Sequence, residues 1–442
     1  MTKAFSADLS ALPPEGLLVV GFSGGADSTA LAHYLSEHVA KERILLAHLN
    51  HMLRGAEAER DEASVRAFAQ SRGLRLTVSR VDIAALAKQK GVGIEACGRE
   101  ARYAFFASLA PGEHDRILTA HHADDLAETM LLNLSRGAGL EGLCGIPKER
   151  GKILRPLLHV TREEIERYCA DHALPFSEDS TNASAEYARN LIRLEVMPLL
   201  RRLNPQVTRA LLQTANLLSK DRDLLREQGE ELLKEARRPY GLSAEVLLDA
   251  PLSLRARAVK LFLEESGCEN LEKKHLDAAL LCLSEGGAAQ LPNGVTVRRG
   301  QGLLSAVRKA EQTPFSCPLS LGRTKLPNGK TVVLEQRPAA DLRDGKKINN
   351  LYFKKAIDCA IMTGSLTART RREGDRFSPA GRGCTKPLKQ VFQDCGMPPD
   401  LRGSALLLEL DGQIVFCEGV GPAEGFQVTE HTKEVLLVTV EE

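Results

Sequence analysis

Two short segments carry residue types able to handle a phosphate chain and to activate a nucleophile. The first is Ser23-Gly24-Gly25-Ala26-Asp27-Ser28. Its glycines let the backbone approach a phosphate, Ser23 and Ser28 add hydroxyl donors, and a helix starting there offers free N–H groups at its positive end. No Lys follows the second glycine, so this is not the Gly-Lys-Ser/Thr loop that grips β and γ phosphates for γ transfer. It reads as a pyrophosphate cradle. Asp27 would repel phosphate unless a cation intervened, which makes it a candidate magnesium ligand. The plain alternative is a tight turn with an Asp cap. The second segment runs from His121 to Glu128. Asp125 and Glu128 lie three apart, so a helix beginning there puts both carboxylates on one face near its N-terminal end. Either could instead cap that helix.

The elements that must position these residues follow from hydrophobic patterning. Leu17 to Phe22, Arg43 to Leu49, Leu74 to Val81 and Arg116 to His121 are too short for buried helices and read as strands. Asp27 to His38, Ala56 to Arg72, Glu95 to Leu109 and Asp124 to Arg136 read as the helices between them. Strand and helix in alternation imply a Rossmann-like parallel sheet with right-handed crossovers, hence an α/β domain. Ligands of such sheets sit outside the carboxyl ends of the strands, where both chemistry-bearing segments fall. His48, His51, His121 and His122 lie at those strand ends. Imidazoles there hydrogen-bond or contact phosphate, a reading preferred over a zinc site.

At 442 residues the chain is too long for one core, and about one domain per 150 residues suggests three. The first, residues 1–204, closes at Asn204-Pro205. A mainly helical domain, 205–310, follows, opened by a long helix with an apolar stripe of Val207, Leu211, Ala215, Leu218, Leu225 and Leu232. Residues 311–364 read as a linker with bridging strands, and 365–442 as a small β-rich mixed domain. Leu291-Pro292-Asn293-Gly294 and Leu326-Pro327-Asn328-Gly329 read as two hairpin turns, not as a duplicated domain.

Composition removes several function classes. No apolar run reaches 18 residues and the start lacks a hydrophobic signal core, so no membrane association and a cytoplasmic location are expected. The ten cysteines include no Cys-x-x-Cys pair, which fits a reduced compartment and argues against zinc or iron–sulfur binding. Net charge is only +1, yet seven basic residues against two acids lie between Arg369 and Lys389, a segment suited to phosphate.

The hexapeptide Ser23 to Ser28 resembles the signature of the PP-loop, or ATP-pyrophosphatase, superfamily, whose members cleave ATP between the α and β phosphates and adenylate a substrate oxygen. The next block, His48-Leu49-Asn50-His51-Met52-Leu53-Arg54-Gly55, resembles an element of the tRNA(Ile)-lysidine synthetase family. So do Arg99-Glu100-Ala101-Arg102-Tyr103, Thr119 to Thr129, Arg136 to Leu140, Glu178 to Asn182 and Tyr187 to Arg193. Near the other end Arg369 to Phe377, Lys386 to Lys389 and Arg402 resemble the family's tRNA-binding domain. After Ile414-Val415, where many relatives carry Trp and later Arg, this chain has Phe416 to Gly421, so tRNA contacts there are not carried over.

The resemblance implies a reaction. The O2 atom of the wobble cytidine of a CAU-anticodon tRNA(Ile) attacks the α phosphate of ATP, pyrophosphate leaves, and the ε-amine of L-lysine displaces AMP at C2. Lysidine then pairs with A instead of G. Mg²⁺ on Asp27, with Arg102, would neutralise the departing pyrophosphate. Asp125 and Glu128 would hold the lysine ammonium, bind magnesium or accept its proton, three roles that spacing does not rank. The implied ATP-binding set is Ser23, Gly24, Gly25, Ala26, Asp27, Ser28, His48, Asn50, His51 and His121. The implied tRNA-binding set is Arg54, Arg189, Arg193, Arg371, Arg372, Arg376, Lys386, Lys389 and Arg402. A homodimer is a further expectation from the family. Two other readings are a tRNA thiolase of the same superfamily, for which Cys97 and Cys144 stand without a Cys-x-x-Cys, and a non-catalytic tRNA-binding protein.

Overall fold

Alternate residues of the first strand point into different cores. Leu18 and Val20 pack with Leu31, Leu35, Leu46 and Ile165, whereas Val19 joins Ala47, Phe106 and Ile117 on the opposite face. The period of two makes a sheet covered on both sides, which is why its strands read as unbroken apolar runs. The computed structural model describes residues 5–53, 55–177, 187–308, 314–344, 347–348, 355–361 and 364–441. It divides into two compact units, residues 1–224 and 225–442.

The first unit is built on six strands: β1 (Leu18–Gly21), β2 (Ile44–Asn50), β3 (Arg75–Arg80), β4 (Arg116–Leu118), β5 (Glu149–Arg150) and β6 (Ile153–Leu154). Their order is β3-β2-β1-β4-β6-β5, parallel except for β5. Between β1 and β4 the winding reverses, and a crevice opens beyond their carboxyl ends. The helices are α1 (Ala26–His38), α2 (Ala56–Arg72), α3 (Ile83–Lys90), α4 (Ile94–Ser108), α5 (Ala123–Ser135), α6 (Leu140–Leu143), α7 (Arg162–Asp171), α8 (Tyr187–Leu191), α9 (Met197–Leu203) and the first part of α10 (Val207–Ala236), which continues past residue 224. The four expected strands and four expected helices between residues 17 and 136 are all present. Strand β4 is three residues shorter than expected, because its ladder ends at Leu118 and the chain then runs extended to His122, the residue before α5. Among the helices that escaped the hydrophobic pattern, α3 and α7 each have a readable start. Asp82 accepts from Ala85 N, and Thr161 with Glu164 forms a capping box. Residues Ile192–Val196 form a π-helical turn between α8 and α9.

In the second unit three helices (Ala244–Asp249, Leu252–Glu265, Lys273–Glu285) pack on a five-stranded antiparallel sheet around Leu247, Phe262, Leu283 and Leu304. Both Asn-Gly turns are present. Asn293 and Gly294 take left-handed φ of 59° and 72° in the short connection between antiparallel strands 287–290 and 295–300. Gly329, at φ 88°, closes the hairpin of strands 322–325 and 331–338. The C-terminal part is a five-stranded and a four-stranded sheet around Val332, Phe392, Leu408, Val415 and Val438, with two short two-stranded pairs beside them. Strands of the segment read as a linker are built into them: Ser316–Pro318 pairs with Leu366–Arg369, and Thr331–Pro338 with Glu434–Glu441. Pro318 is tolerated because its strand lies at a sheet edge, where a missing N–H breaks no inner ladder. Among the described residues no helix is long and apolar enough to cross a membrane. All ten cysteines are free.

Candidate active site

The glycine loop leaves β1 and enters α1 with Gly25 as the residue before the first turn. Ser28 Oγ organises it, lying 3.1 Å from Ser23 Oγ, accepting from Gly24 N at 3.2 Å and donating to Gly25 O at 3.1 Å. Gly24 has φ of 87°, which an L side chain rarely adopts. From β2, the buried His48 places Nδ1 2.9 Å from Phe22 O, so its N–H donates to the carbonyl just before the loop. Asn50 is also buried, and Arg102 on α4 faces His51 Nε2 at 3.4 Å.

Asp27 emerges from the first turn of α1 and meets Arg162, whose Nη1 donates to both carboxylate oxygens at 2.9 and 2.8 Å. Burial raises the pKa of Asp27, against the pull of His122 and Arg162. Arg162 is placed by the capping box at the start of α7, and its backbone N donates to Asp124. Asp124 also accepts from Arg201 and Thr208, so it ties α5 to α7, α9 and α10.

His122 is the hinge of the site. Its side chain is 5% exposed, with Nε2 3.8 Å from Asp27 Oδ1 and 3.5 Å from Asp125 Oδ2. A single imidazole thus spans the phosphate loop and the carboxylate helix. Asp125 does cap that helix, accepting from His122 N at 3.0 Å, while its other oxygen accepts from Arg189 Nη2 at 3.0 Å. Burial pushes its pKa up, but His122, Arg189 and His121 outweigh burial and hold it below the usual carboxylate value. Glu128 lies one turn on, 3% exposed, gripped by Arg189 Nε at 2.9 Å and by Arg193 Nε and Nη2 at 2.6 and 2.9 Å. His121 is pushed down to about 4 by its burial and so is neutral near pH 7.

The structure therefore brings Asp27, Asp125 and Glu128 together through His122 and three arginines. Arg189 and Arg193, expected among tRNA contacts, lie on the carboxylates. Arg162 was not anticipated. The Thr-x-x-Glu box marks its helix, but nothing local announces a partner 135 residues away. Arg54 and the Glu178 to Asn182 motif lie outside the described residues.

In the second unit Arg371, Arg372, Arg376 and Lys389 are exposed. Lys386 pairs with Asp394, and Arg402 Nε donates to Met397 O at 3.0 Å. Arg369, counted in the basic segment, is 3% exposed and clamped by Asp375 and Glu409. It is internal structure, not surface charge.

A family model described as a PP-loop domain matches residues 2–200, and one described as a TilS substrate C-terminal domain matches residues 366–439. A tRNA(Ile)-lysidine synthase of Clostridium acetobutylicum is 31% identical over 440 residues, covering 96% of this chain and 95% of that protein. One of Geobacter sulfurreducens is 33% identical over 459 residues, covering 99% and 96%. One of Bacillus subtilis is 30% identical over 429 residues, covering 91% and 89%. With glycine loop, carboxylate helix and basic C-terminal part all inside these matches, the chain belongs to the tRNA(Ile)-lysidine synthase family.

Proposed function

We propose that this site adenylates O2 of the wobble cytidine of a CAU-anticodon tRNA(Ile) and then joins L-lysine to C2, releasing pyrophosphate and AMP. The observation that carries the assignment of roles is the His122 imidazole, within 3.8 Å of Asp27 and 3.5 Å of Asp125. It sets the groups for the two half-reactions side by side.

In the first half-reaction the O2–Pα bond forms and the bond from Pα to the pyrophosphate oxygen breaks. Backbone N–H groups of the Ser23 to Ser28 loop and the α1 N-terminus hold the phosphates. Asp27 suits a magnesium ion, which usually takes one or two carboxylates plus substrate phosphates. Asp27, 27% exposed in the first turn of α1 beside the glycine loop, fits that minimal donor set. When bound, the ion neutralises charge on the leaving pyrophosphate. Arg102, beside His51 at 3.4 Å, adds positive charge to the same site.

In the second half-reaction the lysine nitrogen bonds to C2 and the C2–O2 bond breaks, AMP carrying O2 away. A lysine amine with pKa about 10.4 is neutral about once in 2,500 at pH 7, so the site must hold the cation and take its proton. Asp125, ionised and next to Asp27, receives the ammonium. Glu128 serves as a positioning residue: it is 3% exposed against 15% for Asp125, and it holds Arg189 and Arg193. Those arginines, with Arg54 and the exposed Arg371, Arg372, Arg376 and Lys389, are the proposed tRNA contacts, and a homodimer in the cytoplasm is the proposed state.

The test is incubation with CAU-anticodon tRNA(Ile), ATP, Mg²⁺ and labelled lysine, with a parallel arm containing a sulfur donor. Lysine incorporation with AMP release supports the proposal. Sulfur incorporation would assign a thiolase, and binding without reaction a non-catalytic tRNA protein.

A further inference from the structure

Helix α2 is mostly solvated, yet Glu62 on it is 2% exposed. A carboxylate is buried only when neutralised and hydrogen-bonded. Here Arg80 donates at 2.9 and 3.0 Å and Arg66 at 3.1 and 2.8 Å, which, with Asn50, outweigh burial and pull the pKa down to about 2. The remaining bond points inward: Asn50 Nδ2 donates to Glu62 Oε2 at 3.2 Å and to Ala58 O at 3.3 Å. With its NH₂ group so fixed, Asn50 turns Oδ1 toward the chain ahead and accepts from Met52 N at 2.9 Å. Met52 sits at φ 55°, a left-handed conformation rare for a side chain of its size, and this bond holds it there. One turn further along α2, Val65 is so close to the phosphate loop that a Cβ on Gly24 would lie 3.1 Å from its Cγ2. Phe68 then packs on Phe22 with ring centroids 5.1 Å apart. One face of α2 backs both the glycine loop and the Asn50 to Met52 turn.

We infer that Glu62 is a positioning residue for the nucleotide site, acting through the Asn50 side chain to fix the His48 to Leu53 segment against the glycine loop. The inference rests on reading those two segments as the ATP site. The competing role is purely structural: Glu62 tying α2 to β3 through Arg80. The two differ in what an uncharged isostere does. Gln at position 62 keeps an oxygen for Asn50 but gives up the paired arginines.

The experiment is calorimetric ATP binding to the full chain carrying Glu62→Ala, Glu62→Gln, Asn50→Ala or the Glu62→Ala/Asn50→Ala pair. Each alanine variant is expected to weaken ATP about tenfold, and the pair no more than the weaker single, because both act on one strut. Glu62→Gln is expected to recover most of the affinity while melting at a lower temperature than wild type. Unchanged ATP affinity in folded Glu62→Ala, or losses that multiply in the pair, would overturn the inference. Should Glu62→Ala not fold, Glu62→Leu and Glu62→Gln are compared in its place: ATP affinity lost in Glu62→Leu and kept in Glu62→Gln supports the inference, and equal affinities overturn it. Lysidine formation plays no part in this readout, so its absence from wild type would refute the functional reading while the ATP comparison still decided this one.

Discussion

Replacing Asp125 by Asn separates the two half-reactions. The amide keeps an oxygen to accept from His122 N, the 3.0 Å bond that starts α5, so the loss of about 1 kcal/mol expected from removing a helix cap is avoided. What disappears is the negative charge that faces Arg189 at 3.0 Å and, in the proposed complex, the lysine ammonium. The Asp125 side chain is 15% exposed, so solvent screens that charge little. A hydrogen bond to a charged partner in such surroundings contributes about 2–3 kcal/mol, which corresponds to a roughly 30–150-fold fall in kcat/KM for lysine. Pyrophosphate release in the absence of lysine reports the first half-reaction alone, and labelled lysine in tRNA reports both. The expected outcome is near-normal pyrophosphate release with lysine incorporation down by that factor. Equal losses in both assays would place Asp125 in adenylation and refute the division of labour; no loss in either would remove it from the site.

Arg162→Gln removes a cation that competes with magnesium for Asp27, so the Mg²⁺ concentration giving half-maximal rate is expected to fall several-fold. A higher requirement would argue that Arg162 holds phosphate in place of screening Asp27. Glu62 has a folded pKa of about 2 against an ordinary 4.5, so its stabilisation is present above pH 4.5 and is lost as pH falls toward 2. The difference in melting temperature between wild type and Glu62→Gln should therefore narrow over that window, and a constant difference would contradict the ion-pair account. In the second unit, Arg371→Ala and Arg372→Ala should each lower the salt slope of tRNA binding by roughly one, as loss of a phosphate contact does. Arg369→Ala should leave that slope alone and instead cost about 3 kcal/mol of stability, since it strands the carboxylates of Asp375 and Glu409; urea unfolding checks this.

The parts of the site that sequence reveals are those fixed by local geometry. Ser23 to Ser28 reads clearly because Gly24 must take a left-handed φ and the next residues must start a helix. The spacing of Asp125 and Glu128 reads clearly because three residues make one helical face. What escapes is pairing over distance. Arg162 reaches Asp27 across 135 residues, and Glu62 reaches Asn50 from another element, with nothing in composition to mark either. Arginine is ambiguous for the same reason. Arg189, Arg193 and Arg369 look like free positive charge in a string of letters, and the fold gives each a carboxylate. In the second unit, alternation and Asn-Gly turns mark the hairpins, but which sheet the strands of residues 311–364 join, and that Pro318 lies on an edge, are properties of the sheet and not of the local sequence.

The most direct test of the account follows one oxygen atom. A CAU-anticodon tRNA(Ile) carrying heavy oxygen at O2 of the wobble cytidine is converted in the presence of ATP, Mg²⁺ and lysine, and the released AMP is weighed by mass spectrometry. If O2 is adenylated and then displaced by the lysine amine, AMP carries the label and the tRNA base loses it. Unlabelled AMP, with the heavy oxygen kept in the base, would contradict activation through O2 and with it the roles given to Asp27 and Asp125.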